Sequence, residues 1–210
     1  MDINYKKTKQ YEIEQERNLN LQQKEILNNY VFPKFEYHAN PRMCECLIVE
    51  ENGKMCDCCK TKKQILFECD GCYGDFPEGL VLCPECIASG EAGKKYDIEF
   101  NLVSDEIEDE NKNFKVIKCT PPILSWNDME FKTHCGDYAE YIGPAYWQDI
   151  ENLGNEAINN IDEDLKLNYE IFYVKLKDLK KVTPNRDCGM HLHLFRCKHC
   201  GKYLIQIDLD

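Results

Sequence analysis

The stretch MCDCCKTKKQILFECDGCYGDFPEGLVLCPEC, residues 55–86, carries seven cysteines, at positions 56, 58, 59, 69, 72, 83 and 86. Two residues separate Cys56 from Cys59, and two separate Cys83 from Cys86, so each pair closes a tight turn whose sulfurs point at one centre. Tetrahedral zinc takes four soft thiolates at about 2.3 Å, and two such turns facing each other supply them. The spacing predicts a metal-stapled hairpin with Cys56, Cys59, Cys83 and Cys86 as zinc ligands. Disulfides are the competing use of the same residues.

The rest of the chain weighs against disulfides. At 210 residues it makes one large or two small domains. No stretch approaches the ~20 apolar residues of a membrane span, and MDINYKKTKQYEIEQERN lacks the apolar core of a secretory signal. The expectation is a soluble cytoplasmic protein with no membrane association, where thiols stay reduced. Fourteen cysteines in such a compartment are better read as ligands than as bridges.

The formal charge is −12, from 26 basic and 38 acidic residues. Residues 1–30 balance five acids with five bases, so the excess lies in the body; Thr133 to Leu165 holds eight acids and no Lys or Arg. A chain that neutralises phosphates needs the opposite sign, which disfavours nucleic acid as the ligand. A basic protein partner suits this field.

Working outward, residues 1–30 form a polar N-terminal helical extension, with Tyr11, Leu19 and Ile26 as a thin apolar stripe. FPKFEYHANP, residues 32–41, suggests an extended lead-in strand; Cys44 and Cys46 lack a partner pair nearby and read as incidental. These belong to a first cysteine-rich module over 31–110, ending in an acidic loop with seven acids from Asp97 to Glu110. A second α+β module over 111–210 opens at KVIKCTPPILSW, with a strand around Met129 to Thr133 after Pro121 and Pro122. Gly143 and Pro144 then mark a helix start. Tyr146, Trp147, Ile150, Leu153, Ala157, Ile161 and Leu165 recur at helical spacing, with Gly154 as a weak point, and residues 167–180 lean to helix. HLHLFRCKHCGKYLIQIDLD, residues 191–210, reads as a hairpin whose turn, Cys197 to Cys200, is a metal knuckle. That pair supplies two ligands only. Spacing leaves two suppliers of the others open: His134 with Cys135, or Cys188 with His191.

The fold class is therefore α+β: small zinc-ribbon or knuckle-like hairpins with packed helices and an appended N-terminal helix. MCDCC, LCPECIASGEAGKKYDIEF, HCGDYAEYIGPA and LFRCKHCGKYLIQIDLD, with FPKFEYHANP, resemble the CbrC family of bacterial proteins over about residues 31–210. The resemblance implies that Cys56, Cys58, Cys59, Cys83, Cys86, His134, Cys135, Cys197 and Cys200 are family positions, and it tips the second site toward His134 and Cys135. Cys69, Cys72, Cys188, His191 and His193 fall outside that pattern, and Ala39 stands where the family usually has proline. The family's name comes from colicin tolerance, and its members resemble immunity proteins of toxin systems.

On this basis the chain is expected to hold about two zinc ions, each closed by four ligands. It is further expected to be a non-enzymatic, immunity-like protein that neutralises a bacterial toxin, such as a basic nuclease-type toxin. No catalytic constellation is evident; adjacent His134 and Cys135 make a poor nucleophile pair, because neighbouring side chains rarely face each other. The alternatives are a zinc-ribbon adaptor in transcription or stress response, for which Lys166, Lys175, Lys177, Lys180 and Lys181 form the one basic candidate face, and a zinc enzyme.

Overall fold

A computed structural model describes residues 18–168, 174–183 and 189–209. Among these, eight strands form three antiparallel sheets accompanied by seven helices. The architecture is α+β. No helix among the described residues is long and apolar enough to cross a membrane.

Helix α1, Leu21–Asn29, starts at a capping box in which the Asn20 side chain accepts from the Gln23 backbone and Gln23 returns the bond. It lies on the first sheet: Leu27 is buried against Val49 and Ile65, with Leu19 and Ile26 partly buried beside them. Tyr11, the first residue of the expected stripe, is outside the described residues. A single 3₁₀ turn, Pro41–Met43, then leads into strand β1, Leu47–Met55.

Strand β1 pairs with β2, Lys62–Glu68, and β2 with β3, Val81–Leu82. From Val49 to Lys54 β1 advances five residues while β2 advances two, so the hairpin bends sharply before its tip. Gly53, with φ of 69°, sits in that bend. Helices α2, Pro84–Ala88, and α3, Glu91–Lys95, follow β3 and close a core that contains Phe67, Leu82, Ile87, Ile98 and Phe100.

The acidic run is the expected loop as far as Asp109, and its last residue, Glu110, begins helix α4, Glu110–Cys119. Asp109 caps it by accepting from the N–H groups of Asn111 and Lys112, and the negative charges of its first turn complement the helix dipole. Acids at a helix N-terminus and acids in a loop have the same composition, which is why the run alone did not separate them. Helices α3 and α4 pack so closely that a Cβ on Gly93 would come within 2.8 Å of the Lys118 Cβ.

In the second half, β4, Thr133–His134, and β5, Asp137–Tyr138, form a minimal hairpin. The strand expected around Met129 to Thr133 is reduced to β4 and one isolated bridge, Leu102 to Glu130. Strand β6, Glu140–Pro144, occupies the place where Gly143 and Pro144 had suggested a helix start. Gly143 has φ of 143° and lies at an irregularity in the β6–β7 pairing, where its bare Cα lets Met43 approach. Strands β7, Met190–Arg196, and β8, Tyr203–Leu209, pair in unbroken register from Met190 with Leu209 to Arg196 with Tyr203.

Helices α5, Trp147–Leu153, and α6, Asn155–Asn168, cover the β6–β7–β8 sheet, with Gly154 breaking the run between them. Trp147, Ile150, Ile161 and Leu165 are buried there with Leu192, Leu194, Ile205 and Ile207, as their helical spacing predicts. After α6 the described chain resumes at Val174 and forms α7, Leu176–Leu179; Tyr169 and Phe172 of the expected helix are outside the described residues. An aromatic cluster of Tyr37, Phe131, Tyr138, Tyr141 and Phe195 lies beneath β5, β6 and β7, with ring pairs near edge-to-face. Segment 37–39 joins this edge: the Tyr141 N–H donates to the Tyr37 carbonyl and the Ala39 N–H to the Tyr141 carbonyl, both at 2.8 Å.

Candidate metal centres

The turns at the tips of the β1–β2 and β7–β8 hairpins have the same local construction. In the first, the Lys60 N–H donates to the Cys56 carbonyl at 2.9 Å and the Cys56 N–H to the Thr61 carbonyl at 3.0 Å. In the second, the Gly201 N–H donates to the Cys197 carbonyl at 3.0 Å and the Cys197 N–H to the Lys202 carbonyl at 2.8 Å. The residue after the second cysteine is left-handed in both, Lys60 at φ 55° and Gly201 at 76°. That conformation suits glycine and is unusual for lysine, so its repetition marks a turn shaped to aim two sulfurs outward.

A second pair of donors is brought to each turn by tertiary bonds. Asp57 exchanges two bonds with Val81, its N–H donating to the Val81 carbonyl at 2.9 Å and its carboxylate accepting from the Val81 N–H at 3.0 Å. This fixes β3 against the first knuckle and delivers Cys83, from which helix α2 carries Cys86. Cys56 Sγ lies 4.0 Å from Cys86 Sγ, and Cys59 Sγ 3.9 Å from Cys83 Sγ. A tetrahedron with metal–sulfur bonds of about 2.3 Å has an edge of about 3.8 Å, so these separations fit one ion.

Cys58, in the same module, stands within 4.8 Å of Cys86 and Glu91 but outside the tight foursome. Its carbonyl is held by Lys95, whose Nζ donates at 2.8 Å, and the Tyr96 hydroxyl holds the Asp57 carbonyl at the same distance. Helix α3 and the residue after it thus brace the knuckle from behind.

The partner of the C-terminal knuckle is the β4–β5 turn. Its two central residues, Cys135 at φ 55° and Gly136 at 68°, are both left-handed, the signature of a two-residue type I′ hairpin. The strained Cys135 backbone makes the adjacent side chains converge, with His134 Nδ1 3.2 Å from Cys135 Sγ. This corrects the expectation that neighbours would not face each other. His134 Nδ1 also lies 3.5 Å from Cys200 Sγ. Donor atoms of His134, Cys135, Cys197 and Cys200 all fall within 4.8 Å of one another, as do those of Cys56, Cys59, Cys83 and Cys86. With metal–nitrogen bonds of about 2.0 Å, the nitrogen–sulfur edge of a tetrahedron is about 3.5 Å, again a fit.

Of the rival suppliers, Cys188 lies outside the described residues, and His191 packs against Trp126 in a tilted pair with ring centroids 4.2 Å apart. Among the described residues the geometry therefore presents two four-donor sets, one of four cysteines and one of three cysteines with a histidine. Their electrostatics are those of crowded thiols. Hydrogen bonding from the Cys83 thiol, against the cost of burial, holds Cys56 down at about 4, while the same contact with Cys56 pushes Cys83 up. In the second set the Lys202 N–H lowers Cys200, while burial and then Cys200 and Cys197 push Cys135 up to about 11. In each cluster one thiol is lowered and a neighbouring thiol raised, and a bound divalent cation would favour the thiolate form of its ligands.

The acids around the second site are mostly structural. Asp137 accepts from the Tyr37 hydroxyl and His199 Nε2, each at 3.0 Å, and pairs with Lys112 at 3.3 Å and Lys198 at 3.6 Å. Burial opposes its charge, but His199, Tyr37 and Lys198 together hold it down at about 2. Asp149 is fully buried and accepts from the Tyr146 N–H at 2.9 Å, and Asp164 is buried between the Lys132 ammonium and the Ile205 N–H. The base-free stretch from Thr133 to Leu165 is thus not one exposed acidic face. Bases from distant segments neutralise Asp137 and Asp164, and Asp149 is spent on a helix start.

A polar cleft of about 530 Å³ opens beside His134, lined by Glu106, Asp128, Glu130, Thr133, Asp164 and Lys202 among others. Lys132 and Lys202 at its wall pair with Asp164 and Glu163, which leaves Glu106, Asp128 and Glu130 as the excess charge.

Fold and donor sets together define a class: an α+β protein of small hairpins whose turns present two cysteine-rich, four-donor clusters that could hold a metal ion. The sequence model of an uncharacterised protein family, UPF0167, matches residues 32–209, and the chain belongs to that family. A UPF0167 protein of Mycobacterium bovis is 26% identical over 180 residues, covering 84% of this chain and 92% of the relative, and one of Mycobacterium tuberculosis matches equally. A UPF0167 protein of Pseudomonas aeruginosa is 27% identical over 192 residues, covering 87% of this chain and 98% of its own. No solved structure matches the chain. The membership corrects the resemblance to CbrC drawn from the sequence. The motifs that carried it are largely the turns around the donor clusters, and metal geometry shapes such turns in any family.

Proposed function

We propose that this chain is a zinc-stapled binding protein whose two metals are structural. Closure carries the reading: each cluster offers four convergent donors, and a tetrahedral zinc with four protein ligands keeps no open position for water or substrate. Cys56, Cys59, Cys83 and Cys86 hold the first ion; His134, Cys135, Cys197 and Cys200 hold the second. The ligand for the whole protein is a basic protein segment. The net charge of −12 and the cleft with Glu106, Asp128 and Glu130 support this choice. The lysines of the zinc-ribbon adaptor alternative are partly engaged elsewhere: Lys166 pairs with Asp162, Lys181 with Asp178, and Lys180 lies over the Trp147 ring.

Neutralisation of a toxin is not carried forward. The relatives' names state a family and no activity, and nothing in either metal centre points to a toxin. The test of the binding reading is titration of the zinc-loaded protein with a fluorescent lysine-rich peptide at several salt concentrations. Saturable, salt-weakened binding that is lost in Glu106→Gln/Asp128→Asn/Glu130→Gln supports it; equal binding by that variant sinks it.

A further inference from the structure

Among the cysteines that belong to neither centre, four flank the open end of the β1–β2 hairpin. Cys44, Cys46 and Cys69 are buried, and Cys72 packs against the same core. Cys44 and Cys46 immediately precede β1, and Cys69 and Cys72 immediately follow β2. Because β1 and β2 are antiparallel, with Leu47 opposite Phe67, these are neighbouring ends. The Glu68 N–H donates to the Cys46 carbonyl at 2.9 Å, which sets Cys69 beside the Cys44–Cys46 turn. The pair reading CxxC here closes as in α2: the Cys72 N–H donates to the Cys69 carbonyl at 3.1 Å, as the Cys86 N–H does to the Cys83 carbonyl.

One short segment lies over both pairs. The Pro122 carbonyl accepts from Cys44 Sγ at 3.1 Å and from Cys46 Sγ at 3.4 Å. Two residues on, the Leu124 side chain lies against Gly71, between Cys69 and Cys72, so closely that a Cβ there would come within 2.9 Å. The sulfurs of Cys44 and Cys46 are 2.8 Å apart, inside the roughly 3.8 Å edge of a zinc–thiolate tetrahedron. Cys44, Cys46 and Cys69 are buried in one core cluster, and Cys72 packs against it, so the two pairs share one packed neighbourhood.

We infer that Cys44, Cys46, Cys69 and Cys72 form a third, thiolate-only site for a zinc ion. The four pairs of the first module then interleave. The first pair in sequence joins the third and the second joins the fourth, so one ion closes the open end of the β1–β2 hairpin and another its tip. Binding releases the thiol protons to solvent, leaves a site with net charge of about −2, and moves Cys44 Sγ and Cys46 Sγ apart to the tetrahedral edge. The site corrects the reading of Cys44 and Cys46 as incidental: their partners lie 23 to 28 positions away and reach them only through strand pairing.

Native mass spectrometry of the full chain, purified under reductant with zinc, counts the ions without any variant. Three zinc ions are expected, and two in Cys44→Ser/Cys46→Ser. A wild type with two ions overturns the third site while leaving the proposed function standing, whereas a wild type with none overturns that function as well. A Cys44→Ser/Cys46→Ser protein that keeps three ions would place the third ion elsewhere, and a wild-type mass about two daltons low, with Cys44 and Cys46 oxidised to each other under reductant, would assign these residues to a disulfide. Cobalt titration is the second readout, with three equivalents raising the thiolate charge-transfer band where two sites would saturate at two.

Discussion

His134 Nδ1 stands 3.5 Å from Cys200 Sγ, 66 positions further along the chain, and this contact ties the β4–β5 turn to the C-terminal knuckle. The contact separates the two ligand assignments that spacing left open. His134→Ala should lose one zinc ion and lower the melting temperature of the β7–β8 hairpin, while Cys188→Ser should keep every ion. Zinc counting on both variants decides it, and metal loss in Cys188→Ser alone would reverse the assignment.

Asp149 and Glu151 are two residues apart and should respond very unequally to the same change. Asp149 is buried and caps the start of α5, so Asp149→Ala should cost about 1 kcal/mol, and Asp149→Lys more. Glu151 and Glu156 are exposed, and lysine at either should shift stability by less than about 0.5 kcal/mol. Urea melts of the three lysine variants test this. Equal effects at 149 and 151 would mean that the cap does not form.

Acid should destabilise the protein through its buried histidines. Burial lowers His38 to about 3, and neither ring nitrogen has a hydrogen-bond partner among the described residues. Burial likewise lowers His193 to about 4; Asp208 works against this and His191 adds to it. The unfolded chain protonates both near 6.5. Below that value the unfolded state therefore binds protons that the folded state excludes, and stability falls as pH drops from about 6.5 toward 4. Comparing wild type with His38→Phe at pH 7 and pH 5 isolates one imidazole: the variant should lose less stability over this interval. An identical loss would show that His38 is not held neutral.

Much of this was legible in sequence because the chemistry constrains spacing. Two CxxC pairs at a hairpin's separation can do little but converge, and the alternation of HLHLFR and KYLIQIDL around Cys197 and Cys200 is the observed β7–β8 pairing. The stripe from Trp147 to Leu165 became the helices over the sheet for the same reason. Other features depend on partners remote in sequence. Asp164 looks like a surface acid until Lys132, 32 residues earlier, is placed against it. Cys44 and Cys46 look unpaired until β1 lies beside β2. The strained turn at Cys135 could have been suspected from Cys-Gly between two short strands, since a type I′ turn favours glycine at its second central position.

The most direct test of the metal centres is the zinc content of the purified chain, measured beside Cys59→Ser/Cys83→Ser and Cys135→Ser/Cys197→Ser, with a thermal melt of each before and after a strong chelator. Each double variant should carry one zinc fewer than wild type, and chelation should lower the wild-type melting temperature sharply, because metal binding here is folding energy. A wild type that is purified without metal and melts cooperatively at the same temperature with or without chelator would contradict both centres.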